Sequence, residues 1–148
     1  MADQHGETLQ DKQDIRDLVY TYSHAADRRD YQLLATCCTP DLVFVIAGAT
    51  YAANRDQFIY KVQGIERYHT TFHFNANHLA QIHGDTATAE TYTLAHHFYT
   101  QEGRDALWLL GLRYLDTLVR EDRRWLFKRR EVVIDWEQGK GLTNPRHG

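Results

Sequence analysis

Residues 71–136 read TFHFNANHLAQIHGDTATAETYTLAHHFYTQEGRDALWLLGLRYLDTLVREDRRWLFKRREVVIDW, and this stretch decides the fold. Four segments of strand-like composition follow one another, at about Thr71 to Ile82, Ala87 to Thr100, Ala106 to Val119 and Trp125 to Trp136. β-Branched and aromatic residues suit a pleated, half-buried surface, so each segment reads as a strand. The separators His83-Gly84-Asp85, Glu102-Gly103-Arg104 and Glu121-Asp122-Arg123 are short and polar, as turns require. Connections this short imply antiparallel neighbours, since a parallel crossover needs a dozen or more residues.

Upstream the hydrophobic period changes. Ile15, Leu18, Val19, Tyr22 and Ala26 recur at helical spacing and form one apolar stripe. Thr8 followed by Asp11 resembles an N-cap with an acidic first turn, and Arg28-Arg29 ends the run. Asp30 reads as the N-cap of a short helix from Tyr31 to Cys38 that Pro40 stops. Leu42 to Ile46 is a compact β-rich run before Gly48, and Asn54 caps a third helix over about Arg55 to Arg67. Helices first and a meander second predict an α+β fold, with N-terminal helices packed on one face of a curved antiparallel sheet. The 148 residues suit a single domain with a core of about 8–136 and a tail over 137–148.

Composition narrows the classes of function. Hydrophobic residues make up 43% and charged residues 25%, ordinary for a chain with a packed core. A formal net charge of −3 gives no electrostatic footprint for nucleic acid. The longest apolar run, Leu42 to Ala49, is too short to span a bilayer. MADQHGETLQ at the start has no basic segment leading into an apolar run, so no secretory signal is expected. The only cysteines, Cys37 and Cys38, are adjacent and read as helical and half-buried. No disulfide framework follows, and the expectation is a reducing, cytoplasmic setting.

Nine histidines are the unusual feature, and His69, His73, His78, His83, His96 and His97 fall on the first two long strands or their approaches. Imidazole suits proton transfer near neutrality. Strand alternation sends His96 and His97 to opposite faces, so at most one enters a pocket. His96 shares its face with Tyr92, Leu94 and Phe98, company that suits a cavity wall. Thr71, His73, Asn75 and Asn77 share another face, facing either solvent or a pocket, while Phe72 and Phe74 read as core or as contact with a neighbour. Asp27 closes the first helix, where the macrodipole disfavours a carboxylate; it is either held there or pairs with Arg28, Arg29 or Arg120. Arg113 interrupts an apolar strand and needs a partner, either Glu90 or Asp116 or an anionic group of a substrate. The histidine spacings in a strand-like segment, without HExxH or paired CxxC, argue against a metal site.

IRDLVYTYSHAADRRDY, TPDLVFVIAG, TFHFNANHLAQIHGDTATAETY and GLRYLDTLVREDRRWLFKRREVV together resemble the SnoaL-like branch of the nuclear transport factor 2-like superfamily. The resemblance covers most of residues 14–134 and implies a cone-shaped pocket between helices and sheet. Asp27 and His73 match the Asp–His pair of scytalone dehydratase and hexachlorocyclohexane dehydrochlorinase, His73 being the base. His96 matches a further histidine of the dehydratase, and Arg113 resembles an arginine of the dehydrochlorinase. The dehydratase's tyrosine beside the Asp is replaced by Ala26, and its second active-site tyrosine falls near Ile46. The resemblance therefore implies a lyase, isomerase or cyclase working without cofactor or metal. Asp27, His73, His96 and Arg113 would be catalytic. Tyr22, Ile46, Asn75, Tyr92, Leu94 and Phe98 would contact a hydrophobic cyclic substrate. A homodimer or homotrimer is expected. The rival readings are a non-catalytic binding or assembly subunit, as in ring-hydroxylating dioxygenases, and a zinc hydrolase.

Overall fold

The computed structural model describes residues 4–146 of the chain, with side chains from residue 7 onward; both extreme ends of the expected domain, including the last two tail residues, lie outside the described residues. The elements run α1 (Gln4–Asp27), α2 (Tyr31–Thr36), β1 (Cys38–Ile46), β2 (Ala49–Ala52), α3 (Arg55–Val62), a 3₁₀ helix (Gln63–Arg67), β3 (Thr70–His83), β4 (Thr86–Gln101), β5 (Arg104–Glu121) and β6 (Arg124–Gln138). Thr8 lies inside α1 instead of capping it. Asp30 and Asn54 do act as caps: their side chains accept from the backbone N–H of Leu33 and Gln57, at 3.0 and 2.8 Å.

The second helix is shorter than its composition suggests. Cys37 is its C-cap and Cys38 already belongs to β1. The competing partner is β6, where the Phe127 N–H donates to the Cys37 carbonyl at 2.8 Å. Pro40 sits in the strand where the β1–β6 register is interrupted, a position that asks for no N–H from proline. Both cysteines are buried.

The six strands form one sheet in the order β2-β1-β6-β5-β4-β3. Every pairing is antiparallel except β1 with β6, so the sheet is mixed. Three of its hairpins turn on two residues that both have positive φ, namely Ala47-Gly48, Glu102-Gly103 and Asp122-Arg123. This is the turn whose twist matches paired strands. Bulges interrupt β3 between Asn75 and His78 and the β5–β6 pairing at two places, and such insertions bend strands. α1 packs against β3 and β6. Its buried side chains Ile15, Val19, Tyr22 and Ala25 join Leu34, Phe58, Leu118 and Phe127 in the core.

One cation lies at the centre of that core. Arg130 is fully buried and donates to both Asp116 carboxylate oxygens, at 3.0 and 3.3 Å. Its guanidinium carbon lies 3.6 Å from the Tyr114 ring centroid, 4.1 Å from Tyr22 and 4.2 Å from Phe127. The pair is charge-balanced, but removing one partner strands the other charge away from water. Arg130→Met is therefore expected to cost about 3–5 kcal/mol in urea unfolding. Replacing both partners, as Arg130→Met with Asp116→Leu, is expected to recover much of that loss. A double variant no more stable than the single one contradicts the stranded-charge account.

Candidate active site

The site begins where α1 ends. Arg29 takes a left-handed conformation (φ 59°), its N–H bonds to the Ala26 carbonyl at 3.2 Å, and the Asp30 N–H bonds to the Ala25 carbonyl at 2.9 Å. This is the two-bond helix stop that usually places glycine at the left-handed residue. The guanidinium gives arginine a role there. It donates to the carbonyls of Ala26, Asp27 and Tyr68 at 3.1–3.2 Å and to the Thr71 hydroxyl at 2.5 Å. A cation is thus placed on the negative end of the helix dipole, beside the carboxylate that the dipole disfavours.

Asp27 is held by three donors from β3. Thr71 Oγ1 donates to Oδ1 at 3.0 Å, the His73 N–H to Oδ2 at 2.9 Å, and His73 Nδ1 lies 2.6 Å from Oδ1. Burial acts to raise the Asp27 pKa, but the His73 ring, the His73 N–H and Thr71 outweigh it and hold the carboxyl below its ordinary value. An ionised carboxylate can only accept, so Nδ1 of His73 carries the proton and neutral His73 keeps its Nε2 lone pair free. His73 lines a cavity of about 410 Å³, within the usual range for small-molecule sites. Phe44, Phe58, Trp108, Leu110 and Val132 supply apolar wall.

A second imidazole lines the same cavity, and it is His97. Its ring centroid lies 6.2 Å from that of His73, and its Nδ1 donates to the Trp108 carbonyl at 3.1 Å. Burial, with the neighbouring His73 imidazole acting in the same direction, pulls the His97 pKa down to about 4 against the opposing Trp108 hydrogen bond. With Nδ1 committed as donor, neutral His97 has an acceptor at Nε2. Tyr22 and Tyr114 also line the cavity, and burial raises the pKa of both phenols, that of Tyr114 to about 12. The segment after β6 returns to the cavity mouth. Leu142 N–H donates to the Tyr68 hydroxyl at 2.8 Å, Lys140 O accepts from Tyr99, and the Asn144 amide donates to the Tyr51 hydroxyl and the Lys61 carbonyl, each at 3.2 Å.

Several expected site residues lie elsewhere. His96, Tyr92, Leu94 and Phe98 occupy the outer face of β4, because Thr91, Thr93, Ala95 and His97 take the buried inner one. His96 bonds the Phe72 carbonyl at 3.0 Å and stacks on Phe98. Arg113 is also on the outer face, pairing with Asp135 at 2.8 Å and Glu90 at 3.2 Å; Asp116 is taken by Arg130. Asn75 faces inward with its amide bound to Thr93 at 2.8 Å; it does not line the cavity shared by His73 and His97 but a separate pocket with Asp27 and His73. Tyr22 and Ile46 do line it. Past the β3 bulge the alternation shifts, so His78 rather than Asn77 turns inward, onto Thr91 at 2.8 Å. Phe72 and Phe74 are exposed on the outer face. Among the described residues no group of three or more His, Cys, Asp or Glu side chains could hold a metal ion. No described helix is long and apolar enough to cross a membrane.

Helices lie over a curved sheet with an Asp–His pair at the wall of an apolar cavity, and the family that matches this chain is the SnoaL-like domain. Residues 7–131 match that domain, and the chain belongs to the family. No curated protein matches the sequence significantly. A protein of Novosphingobium aromaticivorans DSM 12444, provisionally described as a scytalone dehydratase, is 26% identical, with a TM-score of 0.85 over 95% of each chain. The hexachlorocyclohexane dehydrochlorinase LinA-type3 of Novosphingobium barchaimii LL02 is 17% identical, with a TM-score of 0.79 over 95% of this chain and 97% of its own. A Nostoc punctiforme protein of unknown function with a cystatin-like fold is 16% identical, with a TM-score of 0.71 over 85% and 92%.

The depressed His97 pKa has a measurable consequence. The folded value of about 4 lies below that of an unfolded histidine, about 6.5. Between the two, the unfolded chain binds a proton that the folded chain excludes. Stability is therefore full above about pH 6.5 and declines as pH falls toward 4. Burial lowers His78 as well and acts in the same direction. The urea midpoint is expected to drop between pH 7.5 and 5, and His97→Phe should reduce that slope. An unchanged slope in the variant sinks the assignment.

Proposed function

We propose that the protein is a lyase of the dehydratase or dehydrohalogenase type, or a closely related isomerase or cyclase, working without a cofactor on a hydrophobic cyclic small molecule. The observation that carries this reading is the 2.6 Å contact between Asp27 and His73 Nδ1, at the wall of an apolar cavity. His73 Nε2 takes a proton from carbon. The released electron pair forms the carbon–carbon double bond, and the adjacent carbon–oxygen or carbon–halogen pair leaves with its atom. Asp27 fixes the tautomer and stabilises the imidazolium that forms. The imidazolium then returns its proton to departing hydroxide or to water. The leaving-group role expected of His96 or Arg113 passes to groups in the cavity. Tyr22 and Tyr114 suit it, since their phenols stay protonated and neither hydroxyl has a hydrogen-bond partner among the described residues. The likeness to a dehydrochlorinase and to a provisionally described dehydratase supports the same class of reaction.

A screen of cyclic alcohols and halides for elimination tests the reading. On a substrate so found, His73→Ala and Asp27→Asn are each expected to lower kcat by about 10²–10⁴-fold, with KM changed much less. Full activity in His73→Ala would falsify the mechanism.

We also infer a homo-oligomer, dimer or trimer, assembled on the outer sheet face. Phe72, Phe74, Tyr92 and Trp136 are exposed there, and contiguous apolar surface of this kind marks interfaces. Sedimentation equilibrium is expected to give two or three chains per particle, and Phe72→Glu with Phe74→Glu should yield monomer. A monomeric wild type rules the assembly out.

A further inference from the structure

The cavity wall carries two cations and no acid of its own, and the carboxylate nearest it, Asp27, is bound behind His73. Lys61 and Arg67 both line the cavity, and its lining contains no Asp or Glu. Neither cation has a carboxylate within salt-bridge distance among the described residues, although the chain as a whole carries a net −3. Their protein partners are all neutral: carbonyls, and the ring faces of Tyr51, 5.3 Å from Lys61 Nζ, and Tyr68, 4.7 Å from the Arg67 guanidinium carbon. Lys61 Nζ donates to Tyr51 O at 2.9 Å, Arg67 Nε donates to Leu142 O at 3.0 Å, and Arg67 Nη1 bonds Gly64 O. A guanidinium has five N–H donors and an ammonium three, so Arg67 Nη2 and two Lys61 donors remain unused. The carboxylate closest in sequence, Glu66, accepts instead from the Tyr31 hydroxyl at 2.9 Å. His97 is neutral and adds no compensating charge. Half-buried cations in an apolar wall are unfavourable unless an anion completes them.

We propose that the ligand of this cavity is an acid: a hydrophobic ring compound whose carboxylate is bound by Lys61 and Arg67. The inference rests on the cavity being the substrate site, and it adds the charge of the substrate to that reading. Cations whose partners are all neutral keep their charge available, and charge-assisted bonds to a carboxylate are about twice as strong as neutral ones. The aromatic wall of Trp108, Phe44 and Phe58 takes the ring.

Calorimetric titration with 2-naphthoate and with its methyl ester at pH 7.5 tests the proposal. The acid is expected to bind about tenfold tighter than the ester. The preference should shrink in Lys61→Gln and vanish when Arg67→Gln is added. Lys61→Gln leaves the Arg67 bond to Leu142 intact, so it serves if the double variant does not fold. Equal affinity for acid and ester, no measurable binding of the acid, or a preference unchanged in Lys61→Gln overturns the proposal. The same titration in His73→Ala separates the two readings. A charge preference retained there stands even if no elimination is found, and turnover of neutral substrates without a charge preference leaves only the elimination reading.

Discussion

The Arg130–Asp116 pair sets the floor on which everything else rests. It joins β6 to β5, and the three rings around the guanidinium add α1 through Tyr22. Two of those rings, Tyr22 and Tyr114, also line the cavity. A single buried charge thus fixes both the helix-to-sheet distance and the orientation of two phenols. Its desolvation is offset by a two-bond carboxylate and three aromatic faces. An apolar residue of similar volume could fill the space but would not orient the rings.

The second constraint is the carboxylate at the unfavourable end of α1. Arg29, in a backbone conformation that usually selects glycine, supplies the compensating cation and grips Thr71, which in turn donates to Asp27. The helix stop and the candidate base are therefore one assembly. A residue that ends the helix also braces the contact between Asp27 and His73.

Much of this was legible in the chain. The four long strands, their turns and the caps at Asp30 and Asn54 follow from local chemistry, which is why composition found them. Asp27 and His73 were named through a family resemblance, and their contact spans 46 positions, so no local pattern encodes it. What misled was the rule that apolar faces turn inward. On β4 the apolar company of His96 made that face look like the cavity wall, yet the inner face is the one with Thr91, Thr93, Ala95 and His97. The inner face here carries polar groups beside the cavity, and the outer face carries exposed aromatic ones. Arg113 does pair with Glu90, one of the partners its strand offers, with Asp135 in place of Asp116, and both lie across strands on the outer face. The bulge after Asn75 could not be read from alternation, because it is the departure from alternation. Arg130 sits in the run EDRRWLFKRREVV, where its neighbours give a solvated appearance and only the strand register reveals a buried arginine.

The Asp27 contact with the His73 N–H bears on how the protein avoids self-association in the wrong place. β3 ends the sheet, and an edge strand exposes N–H groups that can template pairing with another chain. At His73 that donor is already occupied by a side chain from α1. The carboxylate stands where a seventh strand would dock, so loss of the acceptor would open the sheet edge to cross-β contacts as well as loosen the imidazole. At that rung of β3 one carboxylate therefore both caps the strand's N–H and holds the imidazole.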